Sequence, residues 1–161
     1  MVDENVIVYT DGSFKNGLTS CAGIIKSSDS KVIEEFQFAL TSKLAIHRNV
    51  SGEIISVMYS IYSSFKQGFF CLDIFHDYEG LYKWISGEWN ANTKLTKFYV
   101  AFVEEYIKKG MNINFIKIKA HHNNSLNNYV DRLAKQAIDK KIMKGFFIDE
   151  FLERLKLENL L

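Results

Sequence analysis

Phe69-Phe70-Cys71-Leu72-Asp73-Ile74-Phe75-His76-Asp77 decides the fold. Phe69 to His76 is a nearly continuous apolar run, which suits a β-strand buried on both faces. Asp77 follows at once and is predicted to cap a short helix through Ile85, since its carboxylate can accept orphan N–H groups there. Upstream, Asn5 to Asp11 is an apolar, β-branched run closed by Asp-Gly-Ser, a strand with a turn. Residues 19–27 and 32–41 read as an antiparallel meander. Ser51 to Lys66 is predicted helical, because Ile54, Met58, Ile61 and Phe65 recur at helical spacing. Downstream come a helix from Leu95 to Lys109 ended by Gly110, a strand from Ile113 to Lys119, and a polar loop from His121 to Asn128. A helix then turns Val130, Leu133, Ala134, Ala137 and Ile138 inward, and Phe146 to Leu160 forms a last amphipathic helix. A meander followed by alternating strands and helices predicts an α/β fold with a five-stranded mixed sheet flanked by helices.

Composition sets the bounds. The 161 residues are 47% hydrophobic, contain no proline and show no repeat or linker, so a single domain is expected over 1–161, with 146–161 as a C-terminal helical extension that covers the core or, as the alternative, makes a dimer contact. The net charge of +1 gives no whole-chain argument for nucleic acid. Its distribution is more informative: between Met111 and Gly145, seven Lys/Arg face two Asp. That basic segment brackets Asp131, which favours a nucleic-acid partner. Cys21 and Cys71 are too few and too separated for a disulfide framework or zinc motif. With no signal-like N-terminus and no apolar run of membrane length, a cytoplasmic location without membrane association is expected.

Four carboxylates stand where elements begin or end: Asp11, Glu53, Asp77 and Asp131. Singly, each has a bland explanation. Asp11-Gly12 is a common turn pair, Glu53 in a first helical turn suits the dipole, and Asp77 suits a cap. Asp131 is harder to dismiss, lying within a helix among apolar neighbours. If the fold gathers the four, they repel strongly unless compensated, and hard divalent cations with oxygen ligands are the natural remedy.

In order and context these residues resemble type 1 ribonuclease H. Tyr9-Thr10-Asp11-Gly12-Ser13 is similar to the family's opening motif, and Arg48-Asn49-Val50-Ser51-Gly52-Glu53 to the helix-opening motif of its Gram-positive-type members. Phe75-His76-Asp77-Tyr78 matches the third acidic position. Lys117 to His121 and Asn127 to Ala134 resemble the final block, with a histidine ten residues before the last aspartate. The resemblance runs from about residue 5 to 141. It implies a ribonuclease H-like fold and a two-metal endonuclease that cuts the RNA strand of RNA/DNA hybrids, leaving 3′-hydroxyl and 5′-phosphate ends. Mg²⁺, or Mn²⁺ in its place, would be held by Asp11, Glu53, Asp77 and Asp131; in such sites two ions lie about 3.5–4 Å apart. His121 would assist proton transfer or product release, with His122 beside it as the competing choice.

The resemblance further implies substrate contacts. Gly12, Ser13 and Asn49 would read the 2′-OH, which distinguishes RNA from DNA. Asn127 would shape the loop before Asp131, and Trp89 and Asn92 would grip the DNA strand. Two departures stand out. The basic handle that many members insert after the tryptophan segment is reduced to Lys94 and Lys97, and His122 to Leu126 replaces a small Gly-containing run. Weaker and more salt-sensitive hybrid binding is therefore expected. No N-terminal hybrid-binding module accompanies the motifs, so a standalone, monomeric enzyme or an excised domain is expected. Two other readings stay open: a non-catalytic binding or docking domain of this fold, and a relative that cuts DNA or structured RNA.

Overall fold

The computed structural model describes residues 4–41, 49–119 and 125–161; His121, His122 and the side chain of Asn49 lie outside them. Strands β1 (Asn5–Lys15), β2 (Leu18–Ser27), β3 (Val32–Thr41), β4 (Cys71–His76) and β5 (Asn112–Lys117) form one sheet in the order β3-β2-β1-β4-β5. The first three are antiparallel, whereas β4 pairs in parallel with both β1 and β5. Helices α1 (Asn49–Lys66), α2 (Gly80–Ser86), α3 (Lys94–Lys108), α4 (Ser125–Asp139) and α5 (Ile148–Leu157) complete the fold, so the mixed, helix-flanked sheet read from the sequence is the one observed.

Strand alternation assigns the two faces. Val6, Val8, Cys21, Ile25, Phe36, Phe38, Leu72 and Ile74 turn to one side and share a core with α1, α3 and α5. Helix α4 covers the other side, chiefly over β2, β1 and β3 among the described residues, where Ala22 meets Leu133 and Ala134. This corrects the expectation for β4. Leu72, Ile74 and His76 are buried, while Cys71, Asp73 and Phe75 are only half-buried because α4 does not reach that far. Phe75 instead stacks on Tyr9 of the neighbouring strand at 4.8 Å. On β5 the partly covered positions are Ile113 and Phe115, and Ile116 is exposed.

Other boundaries moved for identifiable reasons. The strand does not end at Asp11: β1 runs on to Lys15, because the hairpin is made at Asn16-Gly17, both with positive φ. The first turn of α2 is capped at Glu79, so Asp77 is not its cap. Helix α4 already begins at Ser125, within the stretch read as loop, and its buried set is Val130, Leu133, Ala134, Ala137 and Ile138 as predicted.

The C-terminal segment joins the core. Ile148, Phe151, Leu155 and Leu160 are buried against α1 and α3. Two hydrogen bonds between Gln37 and Lys144 cover part of the outer edge of β3. Buried Glu34 accepts from the Tyr59 hydroxyl (2.6 Å), from Ser63 and from the Phe146 N–H (2.9 Å), and the Phe147 N–H donates to Tyr59 at 3.0 Å. The network fastens β3, α1 and the segment preceding α5 together. Among the described residues no helix is long and apolar enough to cross a membrane.

Candidate active site

Parallel pairing of β1 with β4 builds the centre of the site. Tyr9 is level with Phe75, and the same register carried two residues on sets Asp11, within β1, level with Asp77 just past the C-terminal end of β4. Ligand sites in such sheets lie beyond such ends. Glu53 arrives from α1, and one carboxylate oxygen from each of Asp11, Glu53 and Asp77 lies within 4.8 Å of the others. Asp131, the seventh residue of α4, lies near enough to Asp11 to add slightly to the rise in its pKa. Three of the four carboxylates read from the sequence thus converge, with Asp131 beside Asp11.

The position of α1 is set by two small residues. Gly52 presses on the hairpin so closely that a Cβ there would stand 2.1 Å from the Ser20 carbonyl oxygen and 3.0 Å from the Gly12 Cα. Ser56, one turn later and fully buried, donates from its hydroxyl to the carbonyls of Asp11 (2.8 Å) and Gly52 (2.7 Å) as alternative acceptors and accepts from the Ala22 N–H at 3.1 Å. Ser56 is a positioning residue that the sequence reading missed; its only signal was a hydroxyl three residues after Glu53 on a buried helical face. Gly52→Ala is expected to cost about 1–3 kcal/mol of stability from overpacking. Because the helix must lift away from Asp11, the affinity of the carboxylates for a divalent cation should fall further than stability does; melting temperature and calorimetric metal binding together check this.

Burial shapes the electrostatics. Asp11 is 6% exposed, and loss of hydration is the main cause that pushes its carboxyl up to about 7, with the nearby charge of Asp77 adding to it. Its Oδ1 accepts the Gly12 N–H at 2.8 Å, which opposes the rise. Glu53 is more deeply buried and sits well above the ordinary carboxylate range, from desolvation first and then from Asp11 and Asp77. It is the fifth residue of α1, beyond the first turn, so a helix-dipole role does not explain it. Among the described residues its Oε2 has no hydrogen-bond donor. A buried oxygen without a donor, facing two more carboxylates, is a donor set that fits a hard divalent cation. Asp131 is half-buried, like Asp77, and the Lys135 ammonium lies 2.9 Å from its Oδ2.

The remaining positions are more dispersed. Gly12 is buried and Ser13 half-buried on β1, directly after Asp11. Asn127 is half-buried in the first turn of α4, one turn before Asp131. Trp89 is half-buried, its ring edge-on to Tyr78 (6.2 Å) and Trp84 (5.8 Å), with the Lys83 ammonium over it at 5.4 Å. Asn92 is exposed just ahead of the Thr93 cap of α3. The chain runs from α2 to α3 through residues 87–93 with no inserted handle.

Comparisons with known proteins agree with this geometry. Among curated proteins, none matches the chain at a significant level. Similar solved structures include ribonuclease H1 from the halophilic archaeon Halobacterium salinarum NRC-1, at TM-score 0.71 and 17% identity, covering 84% of this chain and 98% of that one. The N-terminal ribonuclease H domain of Rv2228c from Mycobacterium tuberculosis aligns at TM-score 0.71 and 18% identity, over 85% and 95% of the two chains. LC11-RNase H1 in complex with an RNA/DNA hybrid aligns at 0.69 and 17%, over 84% and 98%. At such identities these likenesses speak for the fold. The sequence profile described as RNase H matches residues 3–139, from the first strand to the end of α4. The chain belongs to the ribonuclease H family.

Proposed function

We propose that this chain is a divalent-metal-dependent endonuclease that hydrolyses the RNA strand of RNA/DNA hybrids by a two-metal mechanism, leaving 3′-hydroxyl and 5′-phosphate ends. The observation that carries the reading is the convergence of Asp11, Glu53 and Asp77 within 4.8 Å of one another, beside a buried Glu53 oxygen that has no donor among the described residues. Family membership adds the reaction class, and the hybrid bound to LC11-RNase H1 adds the substrate class.

Asp11, Glu53, Asp77 and Asp131 would hold the ions, either Mg²⁺ or Mn²⁺. When bound, the ions supply Lewis acidity toward the attacking water and toward the departing 3′-oxygen. The chain's own work is to keep the four carboxylates converged. Ser56 and the Gly12 N–H fix Asp11, the close seat of Gly52 fixes Glu53, and the parallel register fixes Asp77. Ser13 and Asn49 would read the 2′-OH, Asn127 would shape the segment before Asp131, Trp89 and Asn92 would meet the DNA strand, and His121 would assist proton transfer. A monomeric single domain of the Gram-positive type, acting in the cytoplasm, completes the proposal.

The test is one cleavage panel: labelled RNA/DNA hybrid, all-DNA duplex and all-RNA duplex, each with Mg²⁺, Mn²⁺ or EDTA. Metal-dependent cutting confined to the RNA of the hybrid is expected. Cutting of the all-DNA duplex, or none of any substrate by folded protein, would reject the reading.

A further inference from the structure

Lys135 stands between the carboxylate site and a cavity at the end of β1. Its ammonium reaches back one helical turn to Asp131 Oδ2 at 2.9 Å, and it also feels the charge of Asp11. On its other side it lines a cavity of about 270 Å³ between α4 and the end of β1, together with Ser13 and Lys15. Lys15 is paired with Asp139 at 2.9 Å on the same wall. Lysine suits a position with two alternatives, because its charge is a compact point on a flexible stem. The side chains of Lys135 and Asp131 are 62% and 43% exposed, so the pair is weak enough to exchange.

We propose that Lys135 is a positioning residue that occupies Asp131 while the carboxylate site is free of metal and is displaced when a divalent ion takes that carboxylate. The released ammonium then swings into the cavity shared with Ser13 and Lys15, where it meets a backbone phosphate of the nucleic-acid substrate. One cation thereby serves two anions in turn. It relieves repulsion in the metal-free cluster, and it contributes to substrate binding only once the metal is in place. This inference rests on the proposed metal-dependent function of the same site.

The signature is a pair of effects with opposite sign. Lys135→Met should bind Mn²⁺ or Mg²⁺ about two- to fivefold more tightly by calorimetry without substrate, because a competing cation of surface-pair strength is gone. With saturating Mg²⁺ the same variant should show a raised KM for hybrid and a salt-dependence slope lower by about one. Lys135→Arg should stay near wild type in both, and Lys144→Met, whose ammonium pairs with Glu35 on β3, should leave metal affinity unchanged. Unchanged or weaker metal binding by Lys135→Met, with wild type binding metal normally, overturns the proposal alone. A wild type that binds no divalent metal overturns both the proposal and the functional reading beneath it.

Discussion

Asp77→Asn is expected to reduce hydrolysis of hybrid by on the order of 10³-fold or more while leaving the fold intact. Metal ligation is worth several kcal/mol of transition-state charge stabilisation, and each ~1.4 kcal/mol is a factor of ten in rate. The substitution is isosteric, and the position has no burden in the fold that an amide could not carry. Asp77 follows the last residue of β4, is half-buried, and does not cap α2, whose N-cap is Glu79. Initial rates in Mg²⁺, beside circular dichroism and melting temperature, separate the two effects. A rate within about tenfold of wild type, in a folded variant, would remove Asp77 from the ligand set.

The second large effect is a linkage between pH, metal and stability. Asp11 is raised from 3.8 to about 7 and Glu53 stands well above its ordinary 4.5. Both carboxyls therefore keep protons in the folded chain that the unfolded chain has released. For a raised carboxyl pKa, the stabilising contribution is fully present below the unfolded value and is lost as pH rises through the folded value. Metal-free protein should accordingly melt at lower temperature at about pH 8.5 than at about pH 6.5, by an amount equivalent to ~2 kcal/mol. Buried His76, whose pKa is lowered chiefly by desolvation, acts with the opposite sign, but only below its ordinary 6.5. The window above that value isolates the carboxyls.

Saturating Mg²⁺ should flatten this dependence, because the ion replaces the protons, and its apparent affinity should rise with pH over the same range. Glu53→Gln should also flatten it, by removing the most buried charge, and should make the metal-free protein more stable at high pH while abolishing hydrolysis. Thermal melts across pH, in EDTA and in Mg²⁺, carry the test. A melting temperature in EDTA that rises from pH 6.5 to 8.5 would show that neither carboxyl is held protonated.

Local pattern was enough for much of this molecule. The inward set of α4, the helical span ending at Lys66 and the burial of the last helix all follow from apolar periodicity, which acts within a few turns of chain. The four acidic positions were legible because each lies in a motif of a few residues, although Asp11 and Asp131 fall inside their elements and not at the ends. What escaped depends on pairing between distant segments. Nothing in Phe69–His76 says that α4 stops short of β4 and leaves Phe75 half-covered. Nothing in Asp11-Gly12 says that the strand continues to a hairpin at Asn16-Gly17, since two turn-forming pairs compete and only the β1–β2 register chooses. Ser56 reads as an ordinary helical serine until the backbone of Asp11 lies against it, 45 residues earlier in the chain. The raised pKa of Glu53 likewise exists only after folding, because desolvation and like charge come from β1 and the end of β4. By itself the sequence determined which elements form and which carboxylates they bear. Tertiary structure alone decided how closely those charges meet, and therefore that the site must take up protons, Lys135 or metal.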